Sequence, residues 1–346
     1  MSGPVTAMRT EIGQQPAALR ATLDALMPRG GEAAALARDC RQVLFIARGT
    51  SDNAAVYGSY LLQAHAGMLA TLASPSIATE YHARMDLSGV LAVALSQSGA
   101  TEEIVETLDW ARECGARTLA ITNGGGSPLT QVADVAFVTA AGAELAVPAT
   151  KTFTTELAAL AVLAIALGAD LDPGLLRSVP DEIERMLAAP PDLAPMVSEL
   201  AGASGVVVSG RGHAYAAALE LALKLKEACY LHAMGLSWAD LLHGPIAVVD
   251  AATPAIIVAA DSGPALPGSI ELARRVVAAG ARAYAIGGGP GLAEASSLAV
   301  PGPRLPEWLA PLGLIVPGQL LTEALSRRLG IDPDSPRGLS KVTQTA

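Results

Sequence analysis

Short apolar runs alternate along this chain with longer segments of mixed apolar and polar character. The runs over Val43–Ala47, Leu69–Leu72, Val90–Leu95, Arg117–Thr122 and Asp134–Thr139 predict strands, most of them too uniformly apolar to face water on either side. Between and after them, Ser51–His65, Thr101–Cys114 and Thr152–Ala166 predict helices. Strand and helix in strict alternation predict an α/β protein with a parallel sheet. Leu157–Leu167 is the most hydrophobic run. It is too short to span a bilayer and reads as a buried helix.

The second half repeats the plan of the first. Phe45-Ile-Ala-Arg-Gly49 matches Val207-Val-Ser-Gly-Arg-Gly212 in character, Ala94–Gly99 matches Val258–Gly263, and Gly115–Ile121 matches Gly280–Ile286. The last two matches are displaced by nearly the same number of residues. That pattern implies a duplicated domain; solenoid repeats are far shorter. Asp170–Pro195, punctuated by prolines, is expected to be the linker.

The 346 residues suffice for two domains of ordinary size. Apolar residues make up 51% and aromatics only 3%, so the cores must be filled by aliphatic side chains. The net charge of −10 argues against nucleic acid as the main partner. Cys40, Cys114 and Cys229 are an odd number and widely spaced, which suggests reduced thiols in a cytoplasmic protein. No cysteine or histidine cluster has metal-ligand spacing, so the expectation is no metal. No signal peptide is evident at the N-terminus.

The most informative stretch follows Val90–Leu95. Ser96-Gln-Ser-Gly-Ala-Thr101 offers three hydroxyls, an amide and a glycine, directly before a helix with Glu102 and Glu103 in its first turn. A strand-to-helix turn aims backbone N–H groups at one spot and favours an anion there. Ser96, Ser98 and Thr101 can donate to phosphate oxygens, as can the Gln97 amide, and Gly99 lets the backbone come close. The absence of lysine rules out a nucleoside-triphosphate loop. An ordinary helix cap by Ser98 or Thr101 is the competing reading. In the second copy Asp261 stands in place of Gln97, and an acid there would repel phosphate. The first copy is the expected phosphate site.

Only four of the 23 cationic residues are lysines: Lys151, Lys224, Lys226 and Lys341. Lysine is a compact donor that can lose its proton, so a chain that otherwise uses arginine draws attention to these four. Glu220, Lys224 and Glu227 share one face of a predicted helix whose other positions are largely apolar. Either they form a surface ion-pair ladder, or they hold a carboxylate beside a lysine as a general base. His243 precedes Gly244-Pro245, which would fix it at the end of an element; His65, His82 and His213 read as structural, and His232 fits either reading. The C-terminal Asp332–Thr343 is either a frayed tail or a loop that brings Lys341 to a substrate.

Taken in order, Gly49-Thr-Ser51, Ser96–Thr101, Val147-Pro-Ala-Thr-Lys-Thr-Phe-Thr-Thr155, Leu219–Glu227, His243-Gly-Pro245 and Pro336–Thr343 resemble the double-SIS (sugar isomerase) family. The resemblance covers the chain from about Met8 to its end. It is to the isomerase half of glutamine–fructose-6-phosphate aminotransferase and to stand-alone SIS-type glucosamine-6-phosphate deaminases. It implies two flavodoxin-like SIS subdomains, each a parallel sheet flanked by helices and related by internal duplication. The expected layout is an N-terminal helical segment over 1–24, domains over 25–170 and 195–330, and an active-site loop over 331–346. By resemblance, Thr50, Ser51, Ser96, Gln97, Ser98 and Thr101 hold a phosphate, and Val147 and Ala149 line the sugar. Glu227 moves a proton between C1 and C2, and Lys224 orients it. His243 assists ring opening, from a partner subunit of a homodimer, and Lys341 contacts sugar oxygens or forms an imine. The aminotransferases carry a serine where Ala149 stands, and a glutamate and a tyrosine where Met234 and Leu236 stand, so the sugar pocket is differently shaped. No cofactor, nucleic acid or membrane is implied. With no ammonia-supplying glutaminase in this sequence, the expected activity is a glucosamine 6-phosphate deaminase. An aldose–ketose phosphosugar isomerase and a non-catalytic sugar-phosphate sensor are the alternatives.

Overall fold

The computed structural model describes residues 5–341. Two compact units emerge. One contains Ala17–Glu144, Lys151–Ser178 and the residues from Ser340; the other contains the residues up to Pro16, Leu145–Thr150 and Val179–Leu339.

The chain opens with α1 (Ala7–Leu26), a 3-10 turn and α2 (Gly30–Leu36). There follow β1 (Gln42–Ile46), α3 (Gly49–His65), β2 (Leu69–Leu72), α4 (Ser76–Thr79), β3 (Val90–Leu95), α5 (Glu102–Glu113), β4 (Arg117–Thr122), α6 (Pro128–Val132), β5 (Val135–Val138) and α7 (Lys151–Ala166). The five strands form one parallel sheet in the order β2-β1-β3-β4-β5. Register is set at the centre by Phe45 opposite Val93 and Ile46 opposite Ala94. All six residues of β3 are buried, as expected for a strand covered by helices on both faces. With so few aromatics, packing relies on small side chains and close approach. A β-carbon on Gly58 of α3 would come within 2.8 Å of both Leu160 of α7 and Phe45 of β1.

The region expected to be the linker, Asp170–Pro195, is largely helical: α8 spans Pro173–Ala188. Leu176, Val179 and Ile183 recur at helical spacing and are fully buried, which outweighs the cost of Pro180 inside the helix. The remaining prolines mark the helix boundaries. Pro173 supplies the first residue, and Pro190 and Pro191 follow the last turn.

After α9 (Ala194–Leu200), the second unit builds β6 (Gly205–Gly210), α10 (Ala214–Cys229), β7 (His232–Ser237), α11 (Trp238–Leu242), β8 (Ala255–Ala259), α12 (Leu266–Ala278), β9 (Ala283–Gly287), α13 (Gly289–Ala295), β10 (Leu298–Val300) and α14 (Ala310–Arg328). Its parallel sheet runs β7-β6-β8-β9-β10, the same arrangement as the first. The sequence matches fall on corresponding elements: β1 with β6, the end of β3 with the end of β8, and β4 with β9. Helix α10 lies on β6, β7 and α14. A β-carbon on Gly318 of α14 would sit 3.2 Å from Leu221 of α10, so this helix pair also depends on a missing side chain. Among the described residues no helix is long and apolar enough to cross a membrane.

Candidate functional site

In an open parallel sheet, the strand order reverses at one point, and the connections diverging there leave a crevice at the carboxyl ends of the strands. In the first unit this point lies between β1 and β3. The turn after β1 carries Gly49, Thr50 and Ser51 into the start of α3, and the turn after β3 carries Ser96–Thr101 into α5. Gly49 and Gly99 adopt φ of +57° and +62°, a left-handed conformation that side-chain-bearing residues adopt only with strain.

The second turn is held from within. Ser96 Oγ accepts from the Gly99 N–H at 3.2 Å, and Ser98 Oγ accepts from the Ala100 N–H at 3.2 Å. The Gln97 carbonyl accepts from the Asn123 N–H at 3.1 Å, pinning the turn to the end of β4. Thr101 occupies the N-cap of α5 in an extended conformation, yet its hydroxyl does not cap the helix. The ordinary-cap reading therefore fails for Thr101. The two turns are also tied to each other. Arg48, just before Gly49, makes a two-pronged ion pair with Glu103 of α5 at 2.8 and 2.9 Å.

Two carboxylates in this unit carried no signal in the sequence. Ser51 Oγ donates to Glu156 Oε1 of α7 at 2.9 Å, and Glu156 is buried. Glu144, in the loop before α7, is completely buried. Its oxygens accept from the Thr152 N–H at 3.1 Å, the Thr152 hydroxyl at 2.6 Å and the Lys341 ammonium at 2.7 Å. An acid at a helix N-terminus is favoured by the helix dipole, and here it also holds the last described residue of the tail. Among the described residues of the tail, Lys341 is thus tied to the loop before α7.

In the second unit, Lys224 of α10 is completely buried. Its ammonium lies 3.3 Å from Glu220 Oε1 and 2.5 Å from Glu227 Oε2. Burial alone would push the Lys224 pKa down; the charges of Glu220 and Glu227 outweigh it, and the net shift is upward. Lys224 is therefore a fixed cation. Glu220 is fully buried, whereas the Glu227 side chain is 23% exposed, so one of the two carboxylates meets solvent while anchored from behind. Of the two readings of this helix face, the surface ion-pair ladder fails, since Lys224 and Glu220 are buried. Lys226, one turn face away, is exposed.

His243 caps the C-terminus of α11, and Gly244 beyond it turns at φ +127°, so it does stand at the end of an element, with its side chain exposed. Val147 and Ala149 lie in the segment before α7, both partly exposed, with the Val147 N–H donating to the Asp334 carbonyl at 2.9 Å. The Asp334 carboxylate in turn accepts from the N–H groups of Ala7 and Met8 at the start of α1, both at 2.7 Å. The predicted site residues divide between the two units. Thr50, Ser51, Ser96, Gln97, Ser98, Thr101 and Lys341 belong to the first unit; Val147, Ala149, Lys224, Glu227 and His243 belong to the second.

Two doubly wound sheets of identical strand order, the first with a hydroxyl-lined crevice at its switch point, define a duplicated α/β protein of the sugar-isomerase type. The SIS domain profile matches residues 36–166 and again 199–295, and the chain belongs to the SIS domain family. The chain is 34% identical over 340 residues to glutamine–fructose-6-phosphate aminotransferase (isomerizing) of Methanothermobacter thermautotrophicus, a match covering 96% of this chain and 56% of that protein. The chain thus spans a little over half the length of such relatives. Among solved structures, the C-terminal domain of glucosamine-fructose-6-phosphate aminotransferase from Francisella tularensis superposes with a TM-score of 0.87 at 27% identity, covering 96% of this chain and 99% of that one. A proposed phosphosugar isomerase of Silicibacter pomeroyi DSS-3 superposes with a TM-score of 0.86 at 33% identity, covering 95% and 100%.

Proposed function

We propose that this protein is a phosphosugar isomerase, and that its substrate is glucosamine 6-phosphate or a close amino-sugar phosphate. The observation that carries the reading is the Glu220–Lys224–Glu227 cluster: a solvent-reaching carboxylate braced by a buried ammonium, as a repeated proton carrier requires. The relatives support the substrate class: the curated one is named for glutamine and fructose 6-phosphate, and the Francisella domain for glucosamine and fructose 6-phosphate.

In this reading Ser51, Ser96, Gln97, Ser98 and Thr101 hold the phosphate, contributing binding energy remote from the reacting carbons. After ring opening, aided by His243, Glu227 removes the proton from C2 and returns it to C1. When C2 carries an amine, C1 becomes an alcohol and C2 an imine. Water then hydrolyses the imine to the ketose phosphate and ammonia, which balances the reaction without a redox step. Lys224 keeps Glu227 in place, and Lys341 donates to sugar oxygens or forms an imine with the sugar. The protein works as a homodimer or larger, with His243 serving a neighbouring chain.

The test is to incubate the purified protein with a panel of hexose and hexosamine 6-phosphates while ammonia and ketose are measured. Ammonia from glucosamine 6-phosphate is the expected result. Ketose without ammonia would leave an isomerase of another sugar. Binding without turnover of any member would refute the enzymatic reading. Mixing His243→Ala and Glu227→Gln chains should restore activity if His243 acts across subunits.

A further inference from the structure

The duplication gives each sheet its own switch-point crevice, and the two are furnished in opposite senses. In the second unit the reversal lies between β6 and β8. Gly212 follows β6 with φ +60°, and Gly263 follows β8 with φ +110°. They correspond to Gly49 and Gly99. Hydroxyls line the first crevice; in the second, a carboxylate stands against both glycines. A β-carbon on Gly263 would fall 2.2 Å from Glu307 Oε2, and one on Gly212 would fall 3.2 Å from Glu307 Oε1. Glu307 reaches this place from the segment just before α14.

The surroundings fit an internal occupant. His213 Nδ1 lies 3.8 Å from Glu307 Oε1. Burial raises the Glu307 carboxyl above its ordinary pKa. Arg211, next to Gly212 in the sequence, is stacked on Trp238 at 5.0 Å from the ring centre. Asp261, in the place of Gln97, accepts from the Gly289 N–H at 3.0 Å.

We infer that Glu307 is a built-in plug of the second crevice, filling by volume and by like charge the place a phosphate ester would take. The chain accordingly holds one phosphosugar, in the first unit. The count of one rests on the proposed reading of the first crevice; the plug does not. It also gives the duplicated half a reason to retain its two left-handed glycines, since both make room for the carboxylate.

The experiment is equilibrium dialysis with labelled inorganic phosphate and labelled glucosamine 6-phosphate on four forms of the full chain: wild type, Ser98→Ala, Glu307→Ala and the double variant. Wild type should bind one equivalent. Ser98→Ala should bind at least about tenfold more weakly. Glu307→Ala should bind two equivalents, and the double variant should keep the second. Two equivalents on wild type, or one on Glu307→Ala with none on the double variant, would overturn the inference. If wild type binds none and Glu307→Ala binds one, the plug stands and the first-crevice reading falls. Glu307→Ser replaces Glu307→Ala should the latter fail to fold.

Discussion

Replacing Lys224 by methionine tests the physical reading of α10 most directly. The substitution keeps the length of the side chain and removes only the charge. Glu220 is then left fully buried beside an apolar group, where its ammonium partner had been 3.3 Å away. Breaking a buried pair by removing one partner costs about 3–5 kcal/mol. Glu227 can turn to solvent and adds about 0–1 kcal/mol. At about 2–4 °C per kcal/mol for a unit of this size, the melting temperature should fall by about 6–24 °C. The deficit should depend on pH in a defined direction. In the variant, Glu220 has a raised pKa and is stable only when protonated, so the variant regains stability as pH falls from 8 towards 5. In the wild type Lys224 has a raised pKa, so its contribution is full throughout that range and is lost only as pH climbs beyond the ordinary lysine value of 10.5. The gap between the two proteins should therefore narrow towards pH 5. Substituting Glu220 by leucine as well removes the stranded charge and should restore most of the loss. Urea titrations at pH 8 and 5.5 read these quantities, provided the m-value is unchanged. A loss below about 1 kcal/mol, or a double variant no more stable than Lys224→Met, would refute the assignment of Lys224 as a buried counter-ion.

Four further outcomes are expected. Glu227→Gln should abolish exchange of the substrate C2 hydrogen with deuterated solvent, followed by NMR, while sugar-phosphate binding stays within about threefold; retained exchange would shift the role to another group. Gly99→Ala forces a β-carbon to 2.1 Å from Ser127 Oγ at a φ of +62°, and should raise the KM for sugar phosphate more than about tenfold while costing about 1–3 kcal/mol of stability. Glu144→Gln replaces the ion pair on Lys341 with a neutral contact, and should make the tail beyond Asp334 cleave faster in limited proteolysis, with the midpoint of unfolding little changed. Burial pushes the Cys229 thiol up to about 12, so at pH 8 Cys229 should resist a disulfide-exchange reagent that labels Cys114; fast labelling of Cys229 in native protein would contradict its placement.

The sheets were legible because buried parallel strands leave apolar runs of the right length between turn residues. The ranges of β2, β3 and β4 coincide with those read from the sequence. The Lys224 cluster was legible because i, i+4 and i+7 positions meet on a helix whatever surrounds them. Helix α8 was obscured by its prolines, whose local penalty is visible in sequence while the burial of Leu176 and Ile183 is not. Glu144, Glu156 and Glu307 were illegible for a related reason. An acid in a loop or at a helix start looks the same whether it is solvated or buried, and only the folded chain shows that Lys341, Ser51 and two glycines face these three. The mirrored positions of Gly212 and Gly263 were visible as a repeat, but not the side chain between them.

The way each unit is assembled from distant stretches of chain bears on how the protein is made. The first unit draws its body from Ala17–Glu144 and Lys151–Ser178, and can form its sheet while synthesis is still under way. The second contains the residues up to Pro16 and Leu145–Thr150, yet its sheet begins only after Val179. The leading turns of α1 must therefore wait for partners, Gln319, Glu323 and Asp334, that emerge 304 to 327 residues later. At ~5–20 residues per second that interval is on the order of 15–65 s. During it, the apolar side chains of Met8 and Ile12, fully buried in the finished protein, are exposed on the nascent chain. A chaperone that shields the amino-terminal turns during this interval, or a slower ribosome that lengthens it, should change the yield of folded protein without changing its final stability.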